Sequence, residues 1–322
     1  MPPKFQIHRF DLPPEFAGKR LDQVLAQLLP QYSRTRIQRW IEDGAVKING
    51  LTPRARDLVT GGESATVEAR LPPESGVAAE KLPLDIVHQD AAVIVINKPP
   101  GVVVHPGAGN REHTLQNALL AHDTRLKRVP RAGLVHRIDK DTSGLLVVAR
   151  TLEAHTALVA ELAAHQIGRE YLALCTGAMT GGGTVDEPIG RHRTQRTRMT
   201  VRSDGRQAVT HYRIERRFRA HTLARVHLET GRTHQIRVHM AHVGYPIVGD
   251  PAYGGRRRLP AGASPELVQA LQTFPRQALH AARLTLTHPK SGKRVTFDAP
   301  LPDDLAGLLD ALARDLAEPR RK

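Results

Sequence analysis

The stretch "LVHRIDKDTSGLLVVA" (134–149) gathers His136, Arg137, Asp139, Lys140 and Asp141 just before an apolar run that reads as a buried strand. Charge at the edge of a core is costly unless it is paired or used, so chemistry is to be sought here first. Asp139 and Asp141 share one face if the chain is extended. Two neighbouring carboxylates could do glycosidase-like acid–base work. Aromatic residues make up only 4% of the chain, however, and no platform for a sugar is visible. Other chemistries lack their residues. There is neither a GxxxxGK phosphate loop nor a dinucleotide fingerprint. "VHMAH" carries His239 and His242 without the HExxH pattern, and the 17 histidines are scattered, so no metal is expected. Cys175 is the sole cysteine; it lies in an apolar stretch and permits no intramolecular disulfide.

A second chemically loud segment is "GRHRTQRTRMTVRSDGRQ" (190–207), with Arg191, Arg193, Arg196 and Arg198 and few apolar anchors. It reads as a mobile basic hairpin, turning at "SDGR", suited to gripping a phosphate backbone. The whole chain points the same way. Its formal charge is +15, and Arg supplies 37 of the 47 cationic residues. Arginine's planar fork suits phosphates and stacking on bases, and so large a positive excess implies a polyanionic partner, most simply nucleic acid. The N-terminus lacks an apolar signal core, and the longest apolar runs, such as Ala91–Ile96 and Leu145–Ala149, are far too short to span a bilayer. A cytoplasmic protein with no membrane contact is expected.

These groups must be positioned by folded elements, and 322 residues at 40% hydrophobic content allow one or two domains with a substantial core. In residues 1–70, Leu21, Val24, Leu25 and Leu28 follow helical spacing. Ser33 caps a second helix in which Ile37, Trp40 and Ile41 share a face and Arg34, Arg36 and Arg39 point away; Gly44 ends it. "VKING" then alternates into an Asn49-Gly50 hairpin turn. Residues 71–81, rich in Pro, Gly and small side chains, read as a linker. From residue 82 to 322 the pattern predicts an α+β domain on a mixed, mainly antiparallel sheet. "AAVIVINK", "TSGLLVVA", "YLALCTG" and "TLARVHLE" are its strands. Helices are expected near 153–165, from about Thr233 (with Ile236, Met240 and Val243 on one face and Arg237 beside them), and at the C-terminus, where Leu305, Leu308, Leu309, Leu312 and Leu316 form a stripe.

"RLDQVLAQLLPQYSRTRIQRWIEDGAVKING" (20–50) resembles the S4 RNA-binding domain, a helix–helix–hairpin module. The resemblance implies that Arg34, Arg36 and Arg39 hold RNA phosphates. "HRIDKDTSG" closely resembles the catalytic motif of the RluA family of RNA pseudouridine synthases, with Ile138 in place of the more usual Leu. "INKPPGVVVHPG" (96–107), "REYLAL" (169–174) and "TGRTHQIRVHMAHVGYPIVGD" (230–250) are similar to the family's other motifs, in the same order. This resemblance implies a fold, an isomerase activity that needs no cofactor, and roles. Asp139 is the essential carboxylate, acting as nucleophile or base. Arg237 pairs with it. Tyr171 stacks on the uracil, and Arg137 enters the RNA stack as the uridine leaves. His136 braces the loop by hydrogen bonds, and Asp141 is a weak rival to Asp139. "VPRAGLVHRIDKDTSGLLVVART", "GGTVDEPIGRH" and "GDPAYGGR" are most like a subgroup whose partner is large-subunit ribosomal RNA, free or within assembling or complete subunits, at the intersubunit stem-loop, helix 69. A monomer is expected. A related S4-bearing subgroup acting on other uridines of that RNA is the close alternative. A binding protein with lapsed catalysis, or a hydrolase of the same glycosidic bond, would be different classes of protein.

Overall fold

The computed structural model describes residues 5–30, 32, 34–70, 77–107, 109–195, 197–255 and 259–317. Two compact units emerge, Met1–Gly76 and Val77–Lys322. The first contains β1 (Phe5–Asp11), α1 (Leu21–Leu28), α2 (Arg34–Glu42), β2 (Val46–Ile48) and β3 (Ser64–Arg70). Leu21, Val24 and Leu25 of α1 meet Ile37, Trp40 and Ile41 of α2 in a core closed by Val46, Ala65 and Val67. The helical spacing thus predicts the buried faces correctly. The chain leaves α2 through Gly44 at φ +69°, a conformation glycine adopts without strain. Ser33, the expected cap, lies outside the described residues.

The Asn49-Gly50 turn is as expected: both residues lie at positive φ, and Ile48 and Leu51 exchange backbone hydrogen bonds of 2.9 Å across them, although the ladder goes no further and β2 pairs along its length with β3. Unexpectedly, β1 pairs antiparallel with β3 over its full length, giving the order β1-β3-β2. It is an edge strand whose mostly exposed side chains carry no apolar alternation to betray it. The expected linker 71–81 divides: 71–76 lie outside the described residues, while 77–81 pack on the second unit. Asn117 there donates its side-chain amide to the Ala78 carbonyl (2.8 Å) and accepts at its own carbonyl from the Glu80 N–H (3.0 Å).

The second unit is built on β4 (Ile86–Gln89), β5 (Val93–Lys98), α3 (Leu115–His122), β6 (Ser143–Ala149), α4 (Leu152–Ala163), β7 (Gly168–Thr176), β8 (Gly183–Asp186), β9 (Ile189–Arg191), β10 (Met199–Val201), β11 (Val209–Arg217), β12 (His221–Leu228), α5 (Gln235–His242), α6 (Pro265–Thr273), β13 (Leu279–Thr287), β14 (Arg294–Asp298) and α7 (Asp303–Ala317). Nine strands form one mixed sheet in the order β4-β5-β6-β13-β7-β12-β11-β8, with β14 also on β13; β9 and β10 form a separate ribbon. Only β13 with β6 is parallel, through His280 opposite Ser143 and Ala281 opposite Gly144. The approach there is so close that a Cβ on Gly144 would lie 2.2 Å from the Ala281 carbonyl oxygen.

The continuous apolar runs of β5 and β6 have a simple cause: both faces are covered. Ile94, Ile96, Leu146 and Val148 join the larger core with α3, α5, α6 and α7. Val93, Val95, Leu145 and Val147 face α4 residues Ala154 and Leu158. In α7 the stripe is buried except at Leu316, which is 45% exposed. Among the described residues no helix is long and apolar enough to cross a membrane.

Candidate active site

The loop 134–142 runs into β6, so its residues sit at the rim of a sheet buried on both faces. Two buried cations pin its backbone. Lys98, 0% exposed at the end of β5, donates to the Lys140 carbonyl (2.8 Å) as well as those of Pro99 and Val102. Burial pushes its ammonium down to about 7, with Asp141 and Asp139 pulling the other way and Arg276 adding to the fall. Arg276 donates to the Asp141 carbonyl at 3.1 Å while its fork is held by Asp304. His136 fixes the loop's other side by accepting from the Val147 N–H at 3.1 Å. That bond requires an unprotonated Nε2, and burial, helped by Arg169 and His105, pushes the imidazole down to about 3. This hydrogen bond ties the loop to β6.

The loop presents Asp139 and Arg137 to a cleft of about 820 Å³. Opposite them stands α5, whose Ile236 and Met240 enter the core and whose Arg237 reaches back to the cleft. Arg237 Nη1 lies 3.0 Å from Asp139 Oδ2, while Nε and Nη2 clasp Asp250 at 2.7 and 2.8 Å. Burial works against the guanidinium, but Asp250 and Asp139 outweigh it and raise its pKa further. Asp250 is wholly buried; its Oδ1 also accepts the backbone N–H groups of Ala252 and Tyr253, so both its oxygens are engaged. Asp139 is only 17% exposed and its open side faces the cleft.

Tyr171 lines the same cleft from β7, its ring buried and its hydroxyl pushed up by burial and by Asp139, against a smaller pull from Arg169. His234 caps α5 at φ +57°, with Nε2 4.0 Å from Asp139 Oδ1 and Nδ1 2.8 Å from the Tyr253 hydroxyl. Tyr253 also accepts the Met199 N–H at 2.8 Å, and its ring lies under Arg237 and Arg198 at 5.0 and 5.2 Å. One polar chain therefore joins the carboxylate to Met199, at the turn end of the β9–β10 ribbon.

Asp139, Tyr171, Arg237, Arg137 and His136 thus meet at one cleft, whereas Asp141 is not among its lining residues. The basic hairpin needs correction. Its strands are β9 and β10 and its turn is 192–198, where the His192 N–H donates to Arg198 O. "SDGR" instead makes a second turn that returns Arg206 to bridge Ile189. Arg191 and Arg193 are exposed and Arg198 is half-buried against Tyr253; Arg196 lies outside the described residues. In the first unit, Arg39 is exposed and Arg36 half-buried. Arg34 is already engaged, donating with Arg20 and Gln38 to the buried Asp22. Burial opposes that carboxylate, but those hydrogen bonds more than reverse it and hold it at about 2. Sequence reasoning gave no role to Asp250, His234 and Tyr253, although the quoted segments "TGRTHQIRVHMAHVGYPIVGD" and "GDPAYGGR" contain them.

Comparison with known proteins gives a consistent result. Residues 92–242 match the family model described as RNA pseudouridylate synthase, and residues 19–63 match the S4 domain. A protein of Pseudomonas aeruginosa called ribosomal large subunit pseudouridine synthase D is 54% identical over 305 residues, covering 95% of each chain. One of the same name from Escherichia coli O157:H7 is 53% identical over 302 residues, covering 94% of this chain and 93% of its own. Among solved structures, human RNA pseudouridylate synthase domain containing 4 aligns with a TM-score of 0.57 at 25% identity, over 71% of this chain and 93% of that one.

Proposed function

The chain belongs to the RNA pseudouridylate synthase family and is a pseudouridine synthase carrying an S4 domain, and from that premise we propose that it isomerises uridines of large-subunit ribosomal RNA, with Asp139 as the essential carboxylate. We assign its target to the intersubunit stem-loop, helix 69, and its action to a monomer in the cytoplasm. Support for the RNA comes from relatives named for the large ribosomal subunit at 53–54% identity. The motif likeness of "VPRAGLVHRIDKDTSGLLVVART" and "GGTVDEPIGRH" supports the stem-loop.

One observation carries the reading at the site: a carboxylate, a cation 3.0 Å from it and a buried tyrosine converge on a single cleft of a basic protein. The reaction breaks the C1′–N1 bond of uridine, turns the base and joins C5 to C1′. The C5 proton leaves and N1 gains one, so nothing is oxidised and no atom is lost. Asp139 serves the sugar or base as nucleophile or proton acceptor. Arg237, fixed from behind by Asp250, aims that carboxylate and balances its charge. Tyr171 offers a face for the extruded uracil, and Arg137, exposed at the mouth, fills the gap left in the RNA stack.

Mapping pseudouridines in large-subunit RNA from cells with and without the protein tests the substrate. The expected result is loss of pseudouridine in the stem-loop alone; an unchanged map would refute it. Asp139→Asn should lower turnover at least about a hundredfold, the range for a positioned acid–base group, with RNA affinity kept. Retention of a tenth of wild-type turnover would remove Asp139 from the role.

A further inference from the structure

Three buried guanidinium groups stand in or near the cleft, and they are not alike. Arg237 clasps Asp250 with two nitrogens, and Arg276 clasps Asp304 in the same way. Arg169 is 8% exposed and, among the described residues, has no carboxylate in contact. Its Nη2 donates to the backbone carbonyls of Glu229 (2.9 Å) and Leu228 (3.5 Å), and its Nε is buried without a partner. Space is kept for the group: a Cβ on Gly231 would fall 2.7 Å from Nη1. A buried cation without a counter-charge is strongly unfavourable, so one is expected to arrive with the ligand.

Arg169 sits two residues before Tyr171 on the same face of β7, and both line the cleft with Asp139. We infer that Arg169 receives a carbonyl oxygen of the extruded uracil and stabilises the charge that the ring acquires when the C1′–N1 bond breaks. This rests on the reading of the cleft as a pseudouridine synthase site. Breaking that bond leaves the electron pair on the uracil, spread over N1, O2 and O4. A fixed guanidinium binds that anion more strongly than the neutral base, which is the condition for accelerating the step. A backbone phosphate is the other anion an RNA could bring. Depth decides between them: the base descends beside Tyr171, whereas the phosphates stay near the rim, where Arg131 and Arg137 are exposed.

The test pairs the protein group with the substrate atom. Wild-type and Arg169→Gln enzymes are given stem-loop RNA with uridine, 2-thiouridine or 4-thiouridine at the target, and single-turnover rates are measured. Sulfur is a weak acceptor. Wild-type enzyme should slow about tenfold on one thio-substrate, while the variant, already slow on uridine, should lose nothing further. RNA affinity and its salt dependence should match in the two proteins. Equal thio penalties in both, no penalty in wild-type enzyme, or a loss of about one unit of salt slope in the variant would each overturn the inference, the last in favour of a phosphate. If Arg169→Gln melts well below wild type, Arg169→Met, which keeps an unbranched chain and removes the donors, takes its place in the same comparison. Failure of wild-type enzyme to form pseudouridine in the uridine RNA would instead strike the proposed function.

Discussion

At the scale of single residues, the site is a row of alternating charges: Asp139, Arg237, Asp250. The inner carboxylate is wholly buried and exists to hold the cation. Asp250→Asn should therefore do more damage than its distance from the substrate suggests. Removing one partner of a buried pair costs about 3–5 kcal/mol, which urea unfolding should register, and turnover should fall because Arg237 is no longer aimed. Unchanged stability would show that Asp139 alone can hold Arg237. Buried histidines set a second, separate behaviour. His136 is held down to about 3 and His221, by burial with Asp315 opposing, to about 4, both from an ordinary 6.5. In that interval the unfolded chain binds protons that the folded one refuses, so their contribution is full above pH 6.5 and is lost as pH falls toward 4. Asp22, at about 2, acts only below the ordinary carboxylate value of 3.8 and does not enter this window. Unfolding free energy should fall from pH 7 to pH 4, and His136→Gln, whose amide oxygen can still accept from Val147, should flatten that slope. A slope identical to wild type would mean that other groups titrate there.

Among the elements, the β9–β10 ribbon packs Ile189, Met199 and Val201 with Val238 of α5 and is hydrogen-bonded toward the site through the Tyr253 hydroxyl, which meets both Met199 N–H and His234. Tyr253→Phe keeps the ring beneath Arg198 and Arg237 and deletes only that junction. Amide exchange at Met199 should quicken, and KM should rise about fivefold, the worth of roughly one hydrogen bond, with the salt slope intact because no cation is lost. A wild-type exchange rate at Met199 would show that strand pairing and packing on α5 hold the ribbon without the hydroxyl. The elements also differ in how visible they are in sequence. The apolar runs of β5 and β6 and the spacing in α1, α2, α4 and α7 mark them plainly. Helix α3 does not show, because Leu115 through Leu120 are all buried and a helix covered all round has no polar face to set a period. Helix α6 is missed although Ser264 and Pro265 make an ordinary helix start.

For the whole molecule, each unit has its own apolar core, so the S4-bearing unit can be removed without opening the other. Deleting residues 1–76 should raise KM, leave turnover and the set of modified uridines on short stem-loop RNA nearly unchanged, and lower the log–log salt slope by about one per lost phosphate contact. Arg34 is half-committed to Asp22, so the exposed Arg39 is the arginine of α2 from which that loss is chiefly expected. Modification of different uridines after truncation would mean that this unit selects the target as well as gripping it.

The sequence alone was enough for the family's motifs, the basic character, the helices of the first unit and the mixed sheet, because residue type, charge and periodicity are local properties. Pairing is not a local property: Asp139 and Arg237 are 98 residues apart and their pairing was implied only by family resemblance, while tertiary structure alone showed that Arg237 takes a second carboxylate, Asp250, from the loop after α5, 13 residues on. Whether an arginine is neutralised, as Arg237 and Arg276 are, or left to meet an incoming anion, as Arg169 is, cannot be read from its neighbours in the chain. It depends on which carboxylates the folded sheet and helices bring within about 4 Å, where Coulomb attraction can repay desolvation.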